Sequence, residues 1–319
     1  MLNEKIIITG GAGLVGQNLV KLLLNYYTTI VVIDKHKKNL DILKSLNPSI
    51  TAICDDLSFD GEWHNFLMDA HAVIILHAQI GGISYKSFFN NNIVATNNVI
   101  KYIKYYNINY MIHVSSSVIN SNKNDFYRET KLQQEKIILG VNIPYTILRP
   151  TLMFGLFDRK HLGWLSRFMN KSPFFPIPGS GRFIRQPLYV DDFCRIILKC
   201  LKSNYDNEIN NKYLNKTFNI TGMENIYYID IIKSIKKITK SRCYLLNINY
   251  NIFYTILYIW AIFDKSPPFT TQQLESLVAG DEFEISDWTS IFEVKGTPFS
   301  EAIFQTFCNS EYSDIKLDF

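Results

Sequence analysis

The segment 6-IIITGGAGLVGQNLV-20 decides the fold class of this chain. It runs from an apolar stretch through a glycine-rich turn into an amphipathic run, which predicts a strand, a tight loop and a helix. Glycines at this turn let the backbone approach a pyrophosphate, which would then lie at the helix N-terminus. The spacing G-x-x-G-x-x-G differs from the commoner G-x-G-x-x-G, and a plain strand-to-helix turn would also fit it. Because a second strand follows in order, we favour dinucleotide binding. The residues assigned to it here are Gly10, Gly11, Gly13, Leu14, Val15 and Gly16.

Apolar runs alternate with helical patterns through the first 150 residues. Buried strands are predicted at 6–8, 30–33, 51–53, 73–76, 111–114 and 145–148, and helices at 14–24, 40–46, 93–106 and 130–139. This alternation predicts an α/β fold, a doubly wound parallel sheet of the Rossmann type. We therefore expect a dinucleotide-binding domain at 1–150. Residues 151–319 then form a smaller substrate-binding lobe, discontinuous, with some segments returning to the sheet, and with a helix at 191–201.

The bulk composition excludes several classes of protein. Hydrophobic residues make up 47% and charged residues 19%, which is typical of a globular chain. A dispersed net charge of +4 argues against nucleic acid. The five cysteines show neither CxxC nor metal-ligand spacing, so we expect buried small hydrophobes in a reducing compartment and no metal. With a strand starting almost at once and no signal peptide, the chain is predicted to be cytoplasmic.

One apolar run, 252-IFYTILYIWAIF-263, bears on a membrane role. Its 12 residues fall well short of the roughly 20 that span a bilayer. Tyr254, Tyr258 and Trp260 suit either a core helix or an interfacial one. The expectation is no membrane span, with weak membrane association possible.

Two acids follow the predicted second and third strands. Asp34 lies 18 residues past Gly16, where a carboxylate accepts hydrogen bonds from ribose hydroxyls and repels a 2′-phosphate, which favours NAD. The lysines after it, within 35–38, could instead accommodate NADP, or form a solvated turn. Asp56, at the end of the third strand, could meet the adenine amino group or make an Asx-type turn. Both alternatives stay open.

A serine run and a Tyr-x-x-x-Lys pair follow the predicted fifth strand, in 112-IHVSSS-117 and 125-DFYRETKLQQEK-136. On a helix Tyr127 and Lys131 share one face, and the carboxyl end of the strand would bring them to the cofactor crevice. Hydride transfer needs a proton to leave or join the substrate oxygen. A tyrosine has a pKa near 10, but a neighbouring ammonium and a positive nicotinamide favour its anion. Alone the pair is common on surfaces; in this setting it predicts an acid/base relay.

At this point the chain resembles the short-chain dehydrogenase/reductases, in particular a divergent member of the extended, nucleotide-sugar branch, the NAD-dependent epimerase/dehydratases. Besides Asp34, the matching segments are 9-TGGAGLVG-16, 55-DDL-57, 113-HVSSS-117, 127-YRETK-131, 148-LRPTLMFG-155 and 179-GSGRFIRQPLYVDD-192. The resemblance implies that Tyr127 is the acid/base and that Lys131 holds the nicotinamide ribose. It implies that Ser116 or Ser117 orients the reacting hydroxyl; we favour Ser117, although Ile119-Asn120 replaces the usual Tyr-Gly.

The chain also departs from the family pattern. In 75-ILHAQIGG-82, His77 replaces a small residue near the cofactor, and a satisfied loop histidine is the favoured interpretation over a pocket residue. Asn92 matches an asparagine that supports the active-site helices in relatives. Asp56, Leu57, His77 and Ala78 complete the predicted cofactor site, and Gln79, Arg182 and Arg185 form the predicted substrate site, with Arg159 and Lys160 behind the two arginines. Guanidinium groups suit the pyrophosphate of a nucleotide sugar, and a solvated basic loop is the alternative.

The resemblance implies an enzyme that acts on a nucleotide sugar by hydride transfer. An epimerase ranks first. Dehydratases commonly carry Asp-Glu directly after the serine or threonine, and Val118-Ile119 stand there. The alternatives are an NADPH-dependent keto-sugar reductase and a cofactor-binding subunit without turnover. Relatives often form a homodimer through the two helices predicted at 93–106 and 130–139, so a homodimer is expected.

Overall fold

The structure is a computed structural model, and it describes residues 2–121, 125–203, 212–263, 269–280, 283–312 and 315–318. Its centre is a seven-stranded sheet in which every neighbouring pair is parallel, in the order β11-β6-β5-β4-β1-β2-β3. The strands are β1 Leu2–Thr9, β2 Tyr27–Asp34, β3 Thr51–Cys54, β4 Ala70–Ile75, β5 Met111–Val114, β6 Tyr145–Pro150 and β11 Lys216–Ile220.

Helices cover both faces of this sheet. One face packs on α1 Leu14–Leu23, α2 Lys37–Leu46 and α7 Val190–Ser203. The other packs on a 3₁₀ helix Glu62–Leu67, α4 Ala95–Tyr105 and α5 Phe126–Leu139. A short helix α3, Tyr85–Phe88, and a π-helix Phe89–Val94 lead into α4, and a 3₁₀ helix Ser117–Asn120 follows β5. The strands are apolar on both faces because helices bury both, as in other parallel sheets.

The order of the strands places a crevice in the sheet. The chain moves from β1 to β2 in one direction and later crosses to β4 on the other side of β1. Parallel sheets bind ligands outside the carboxyl ends of the strands at such a reversal. The glycine loop after β1 and the loop after β4 border this point.

The remaining elements lie outside the main sheet: most join a second core formed by α6, α8, α12 and the strand β8, whereas the helix Trp288–Phe292 packs on α7. They are β7 Met153–Phe154, α6 Leu162–Lys171, β8 Phe174–Pro178, β9 Ile184–Arg185, β10 Leu188–Tyr189, β12 Ile226–Tyr227, α8 Tyr228–Ile238, β13 Tyr244–Ile248, α9 Tyr250–Phe263, α10 Thr271–Ala279, α11 Trp288–Phe292 and α12 Phe299–Cys308. The short strands pair as β10 with β7, β12 with β9, and β13 with β8. The boundary at residue 150 stays a prediction; β11 and α7 lie beyond it and pack with the main sheet.

The predicted fold class is confirmed: the six predicted strands form consecutive members of the parallel sheet. The relay helix begins at Phe126 and not at residue 130, because Asp125 caps it by accepting a hydrogen bond from Arg128 N at 2.8 Å.

The expectation that all cysteines are buried is wrong for Cys54 and Cys308, which are exposed. Cys54 ends the edge strand β3, and Cys308 ends α12, so neither reaches a core.

The segment at 252–263 lies within α9, and only Phe253 and Leu257 of this helix are buried. The core-helix alternative is therefore wrong. In the described part of the chain, the structure contains no helix with the length and apolar character needed to cross a membrane. A cytoplasmic location stays a prediction.

Candidate active site

The backbone of the glycine loop packs closely against the segment that follows β4. Gly10 has φ +70°, a left-handed conformation, and a Cβ there would collide with the His77 backbone. A Cβ at Gly16 would collide with the Gly11 carbonyl, so the first turn of α1 can pack on the loop only without side chains. At Gly13 the nearest atom to such a Cβ is 4.0 Å away, and this residue borders open space. The loop therefore exposes backbone and the N-terminus of α1 to a ligand.

A cavity of about 520 Å³ opens beside this loop. Residues from the carboxyl ends of β1, β2, β4, β5 and β6 line it, together with the loop that follows β7. It contains every predicted cofactor residue except Gly11, which packs on Val32 below the loop, and it also contains both candidate serines, Tyr127 and Gln79. The sequence thus identified residues that the fold gathers into one place.

The end of the cavity near β2 carries the two acids. Asp34 accepts hydrogen bonds from Ala12 N at 2.9 Å and His36 N at 2.8 Å, which fix its carboxylate at the loop. Asp56 accepts from Ser58 N at 2.9 Å, so the Asx-type turn is present, and its carboxylate still lines the cavity. Burial works to raise the pKa of Asp56, but hydrogen bonds from Ser58 and the nearby Lys35 ammonium, 3.3 Å away, leave this pKa lowered.

The other end carries the residues of the predicted relay. Tyr127 and Lys131 lie one turn apart in the N-terminal half of α5, and the Ser116 side chain lies beside the Tyr127 hydroxyl. Lys131 Nζ donates to Val114 O at 2.9 Å and is almost fully buried. Burial raises the pKa of Tyr127, against the Ser116 hydrogen bond. Burial lowers the pKa of Lys131 to about 7, against the charge of Glu135. The protein alone therefore keeps the tyrosine protonated.

The two serines differ in their surroundings. Ser116 contacts the Tyr127 hydroxyl, whereas Ser117 begins the 3₁₀ helix, with 7% of its surface exposed, and faces the same cavity. Ser116 Oγ also accepts from Val118 N at 3.3 Å. The preference for Ser117 stays a prediction, and this contact favours Ser116.

Two layers of buried hydrogen bonds lie behind the relay and join it to the preceding helix. Asn92 Nδ2 donates to Thr130 Oγ1 at 2.9 Å, and one turn on, Gln134 Nε2 donates to Thr96 Oγ1 at 2.8 Å. Asn92 Oδ1 also accepts from Gln79 N at 2.6 Å. Asn92 thus links the loop after β4 to α5, the supporting position that the resemblance implied.

His77 belongs to the same network. Its Nδ1 is 2.8 Å from Thr9 Oγ1 and its Nε2 is 3.0 Å from Thr96 Oγ1. Burial, with the Lys131 charge next, lowers the pKa of His77 to about 3, so its ring is neutral. The satisfied-histidine interpretation fits both ring contacts, and the residue also borders the cavity.

Arg182 and Arg185 are not part of this cavity lining. Arg182 is exposed, and Arg185 is buried with Nη2 donating to Leu277 O at 2.6 Å, which ties β9 to α10. Their predicted role in substrate binding receives no support from this geometry.

Arg159 and Lys160, which the sequence placed only behind them, line the cavity instead, and burial lowers the pKa of both. The residue that could have identified this loop from the sequence is Asp158. It accepts hydrogen bonds from His161 N at 2.9 Å and Gly163 N at 3.0 Å, and these bonds turn the loop toward the cavity at the start of α6.

Comparisons with known proteins agree with this architecture. The model of the NAD dependent epimerase/dehydratase family matches residues 6–220. A UDP-glucuronic acid 4-epimerase from Bacillus cereus, solved with NAD, has 22% identity and a TM-score of 0.74, covering 95% of this chain and 97% of its own. A UDP-N-acetylglucosamine 4-epimerase from Methanobrevibacter ruminantium M1, solved with UDP-N-acetylmuramic acid, has 18% identity and a TM-score of 0.72, covering 96% and 97%.

A third solved structure, the epimerase Mth375 from Methanothermobacter thermautotrophicus, has 15% identity and a TM-score of 0.77, covering 96% of this chain and 93% of its own. No curated protein sequence gives a significant match. At these identities the solved structures support the fold, and the family match stands on the sequence.

Proposed function

The chain belongs to the NAD-dependent epimerase/dehydratase family, and from this premise we propose that it is a UDP-sugar 4-epimerase that uses a Ser-Tyr-Lys relay. Its fold is the Rossmann fold, its cofactor is NAD and it is an enzyme, as the sequence predicted. The observation that carries the proposal is Tyr127, which lies one turn before the buried Lys131 on α5 and lines, together with Ser116, the cavity that begins at the glycine loop.

The residues of this cavity fit NAD. Gly13 leaves open space where a side chain would stand, and the N-terminus of α1 meets that space, so a pyrophosphate would accept backbone hydrogen bonds there. Asp34 is fixed at the end of β2, where it would hold the adenosine ribose. Lys131 would hold the nicotinamide ribose near β5. NAD, when bound, takes a hydride from the sugar carbon and returns it to the opposite face.

In this proposal Tyr127 moves the proton. Its hydroxyl stays protonated in the protein alone because burial raises its pKa. The Lys131 ammonium favours the tyrosinate, as would the positive nicotinamide ring of bound NAD, and the tyrosinate accepts the proton from the C4 hydroxyl of the sugar. The same hydroxyl of Tyr127 later returns the proton when the ketone is reduced. A serine hydroxyl orients the reacting oxygen, and the position of Ser116 beside Tyr127 supports Ser116 in this role.

The substrate would lie between the relay and the loop after β7. A nucleotide sugar carries a pyrophosphate, and Arg159 and Lys160 supply two cations on the lining of that region. Gln79 and Phe283 border the same space. Two of the similar structures are UDP-sugar 4-epimerases, so UDP sugars are the substrates to test first.

Separate incubations of the purified chain with UDP-glucose, UDP-glucuronic acid and UDP-N-acetylglucosamine test the proposal. Nuclear magnetic resonance spectra of the products should show the C4 epimer of at least one of them, without net consumption of NAD. Tyr127→Phe should retain NAD and lower turnover by about 10²–10⁴, the range for losing a general acid/base. The exposed Tyr105 on α4 gives a matched control, because Tyr105→Phe should leave turnover unchanged.

Two serine variants decide which of the two serines orients the sugar oxygen. If Ser116 orients the sugar oxygen, Ser116→Ala lowers turnover more than Ser117→Ala. A larger loss of turnover in Ser117→Ala than in Ser116→Ala would assign this role to Ser117. Stoichiometric release of oxidised cofactor with a keto sugar would indicate a reductase instead, and absence of epimerisation and hydride transfer with every UDP sugar would contradict the proposal.

We also propose that two copies of the chain associate through α4 and α5. These helices carry exposed apolar side chains, Tyr105 at 71% exposure and Leu139 at 51%, although each packs its other side on the sheet. Burial of such residues favours association of two helix pairs. Sedimentation velocity should give twice the mass of one chain, and Tyr105→Glu with Leu139→Glu should give the mass of one.

A further inference from the structure

Helix α9 is an apolar helix that the described residues leave largely exposed. Its 14 residues include no charged side chain. Phe253 and Leu257 pack on Leu274 of α10, and the next six residues, 258–263, are all exposed. Six consecutive residues pass around the whole circumference of a helix. The second half of α9 therefore presents apolar side chains on every side, with Ile262 66% and Phe263 85% exposed.

The exposed surface continues onto the ribbon formed by β8 and β13. In this parallel pair Phe174 lies beside Tyr244, and Leu246 follows Tyr244 on the same face because side chains alternate along a strand. Phe174 is 51%, Tyr244 67% and Leu246 44% exposed. Ile248, the last residue on this side of β13, packs in the cluster under α9. The ribbon and the helix therefore form one surface, the apolar face, defined as Phe174, Tyr244, Leu246, Ile252, Ile256, Ile259, Ile262 and Phe263.

Cations gather at the end of the ribbon away from α9. The C-terminal ends of α6 and α8 meet there, because Ser241 Oγ donates to Met169 O at 2.8 Å and Ser241 N donates to Lys236 O at 3.0 Å. This junction brings together a basic cluster, defined as Lys171, Lys236, Lys237, Lys240 and Arg242. Across the ranges that the structure describes, none of these five forms an ion pair with a carboxylate. The strand β13, about 13 Å long, separates the cluster from the start of α9.

We propose that the apolar face and the basic cluster dock this protein on the surface of an anionic lipid bilayer. The helix is too short to span a bilayer, so its exposed half lies among the headgroups and the upper acyl chains. Tyr254, Tyr258 and Trp260 place aromatic rings with polar tips in α9, the residue types that favour this interfacial depth. The basic cluster faces the phosphates.

A bilayer fits this surface better than a second copy of the chain. A protein partner covers one side of a helix, whereas a lipid medium surrounds it, and residues 258–263 are exposed on all sides. The five cations of one sign also complement anionic headgroups. The surface lies in elements distinct from α4 and α5, so docking and the proposed dimer can coexist, and the inference is independent of the proposed reaction.

Vesicle flotation with the full chain tests the inference. We expect the protein to float with vesicles of phosphatidylcholine mixed with phosphatidylglycerol, to float less with phosphatidylcholine alone, and to be released by salt. Trp260 fluorescence should shift to shorter wavelength on binding. Ile256→Ser combined with Ile259→Ser should weaken binding by about tenfold or more, because two exposed apolar side chains no longer enter the bilayer. Phe59→Ser removes an apolar residue of 67% exposure elsewhere, and should bind as the wild type does.

A second pair of variants isolates the electrostatic part. Lys240→Glu with Arg242→Glu should weaken binding to the anionic vesicles by about 25-fold or more, since each cation near the surface contributes about fivefold. Lys86→Glu with Lys295→Glu makes the same change in net charge outside the cluster and should have a much smaller effect. Circular dichroism confirms that each variant is folded. Failure of the wild type to float with anionic vesicles overturns the inference. So does a change from dimer to monomer caused by Ile256→Ser with Ile259→Ser, which would assign the apolar face to a second copy.

Discussion

At the scale of single residues, the buried lysine of the proposed relay lowers the stability of the folded protein. Lys131 is 1% exposed, and within the described part of the chain its ammonium donates one hydrogen bond, to Val114 O. Glu135 opposes the effect of burial, but it also forms a two-point contact with Arg149, at 2.9 and 2.6 Å. Burying an ammonium with so little compensation disfavours its charged form, which is why its pKa falls to about 7.

This burial predicts how stability depends on pH. The unfolded chain keeps a lysine pKa near 10.5, while the folded protein releases the proton near pH 7. Between these values the unfolded state binds more protons, so the free energy of unfolding rises with pH by about 1.4 kcal/mol per unit from this residue. Lys131→Met removes this contribution. Urea unfolding at pH about 8 and about 9.5 should therefore show the wild type gaining stability relative to the variant as pH rises.

The test is the change with pH in the stability difference between the wild type and the variant. A constant difference in packing between lysine and methionine cancels when the two pH values are compared. Lys5, whose pKa burial also lowers, is the same in both proteins and cancels too. An unchanged stability difference at the two pH values would contradict the buried, neutralised lysine.

At the scale of elements, the relay helix is held in register by polar layers rather than by apolar packing alone. Asn92 and Thr96 on one side, and Thr130 and Gln134 on the other, are each one helical turn apart. Asn92 lies in the π-helix that leads into α4, and such segments often occur at functional sites. The wider turn places its amide between α5 and the loop that carries Gln79.

Asn92→Ala should lower the free energy of unfolding by about 1–3 kcal/mol, because the Gln79 N–H loses its acceptor in a buried place. It should also lower turnover by about 10-fold to 100-fold, since α5 loses the contact that sets the position of Tyr127. Urea unfolding and steady-state kinetics measure the two effects. Asn97→Ala, at an exposed position of α4, is the control and should change neither. A loss of stability with full turnover would show that Asn92 supports the fold but not the relay.

At the scale of the whole molecule, the C-terminal tail joins the loop after β7 to α2 beside the main sheet. After α12 the Tyr312 ring packs edge-on against Phe157 with centroids 5.8 Å apart. Asp318 N donates to Asn39 Oδ1 at 2.7 Å, and Asn39 Nδ2 donates to Asp318 O at 3.1 Å. Leu317 is buried. Asn39 lines the cavity beside Asp34, so the tail borders the end where the adenosine would bind.

Removal of residues 315–319 should lower the free energy of unfolding by about 3.5–5 kcal/mol. Burial of Leu317 accounts for about 1.5–3 kcal/mol and the two backbone hydrogen bonds for about 1 kcal/mol each. Asn39→Ala should reproduce only the hydrogen-bonding part. Urea unfolding compares the three proteins, and equal stability of the shortened and complete chains would show that the tail contributes nothing to the fold.

Local features of the fold and the site could be predicted from the sequence, and contacts between distant segments could not. The glycine loop, Asp34, Tyr127 and Lys131 were recognisable because strand, loop and helix patterns fix where each residue lies. Arg185 could not be separated from Arg159 in this way, since the choice depends on how α6 and α10 pack. The exposure of α9 was equally hidden, because hydropathy measures what a segment prefers and not what covers it.

The two ends of the chain emerge on opposite sides of the dinucleotide-binding half. Leu2 begins β1 at the edge of the sheet away from the glycine loop, about 26 Å from its other end, whereas Asp318 sits against Asn39 at the cavity. An affinity tag joined before Leu2 would therefore leave the cofactor undisturbed, while one joined after the tail would crowd its entrance. A fluorescent label on that tail would turn the same proximity into an optical sensor of NAD binding.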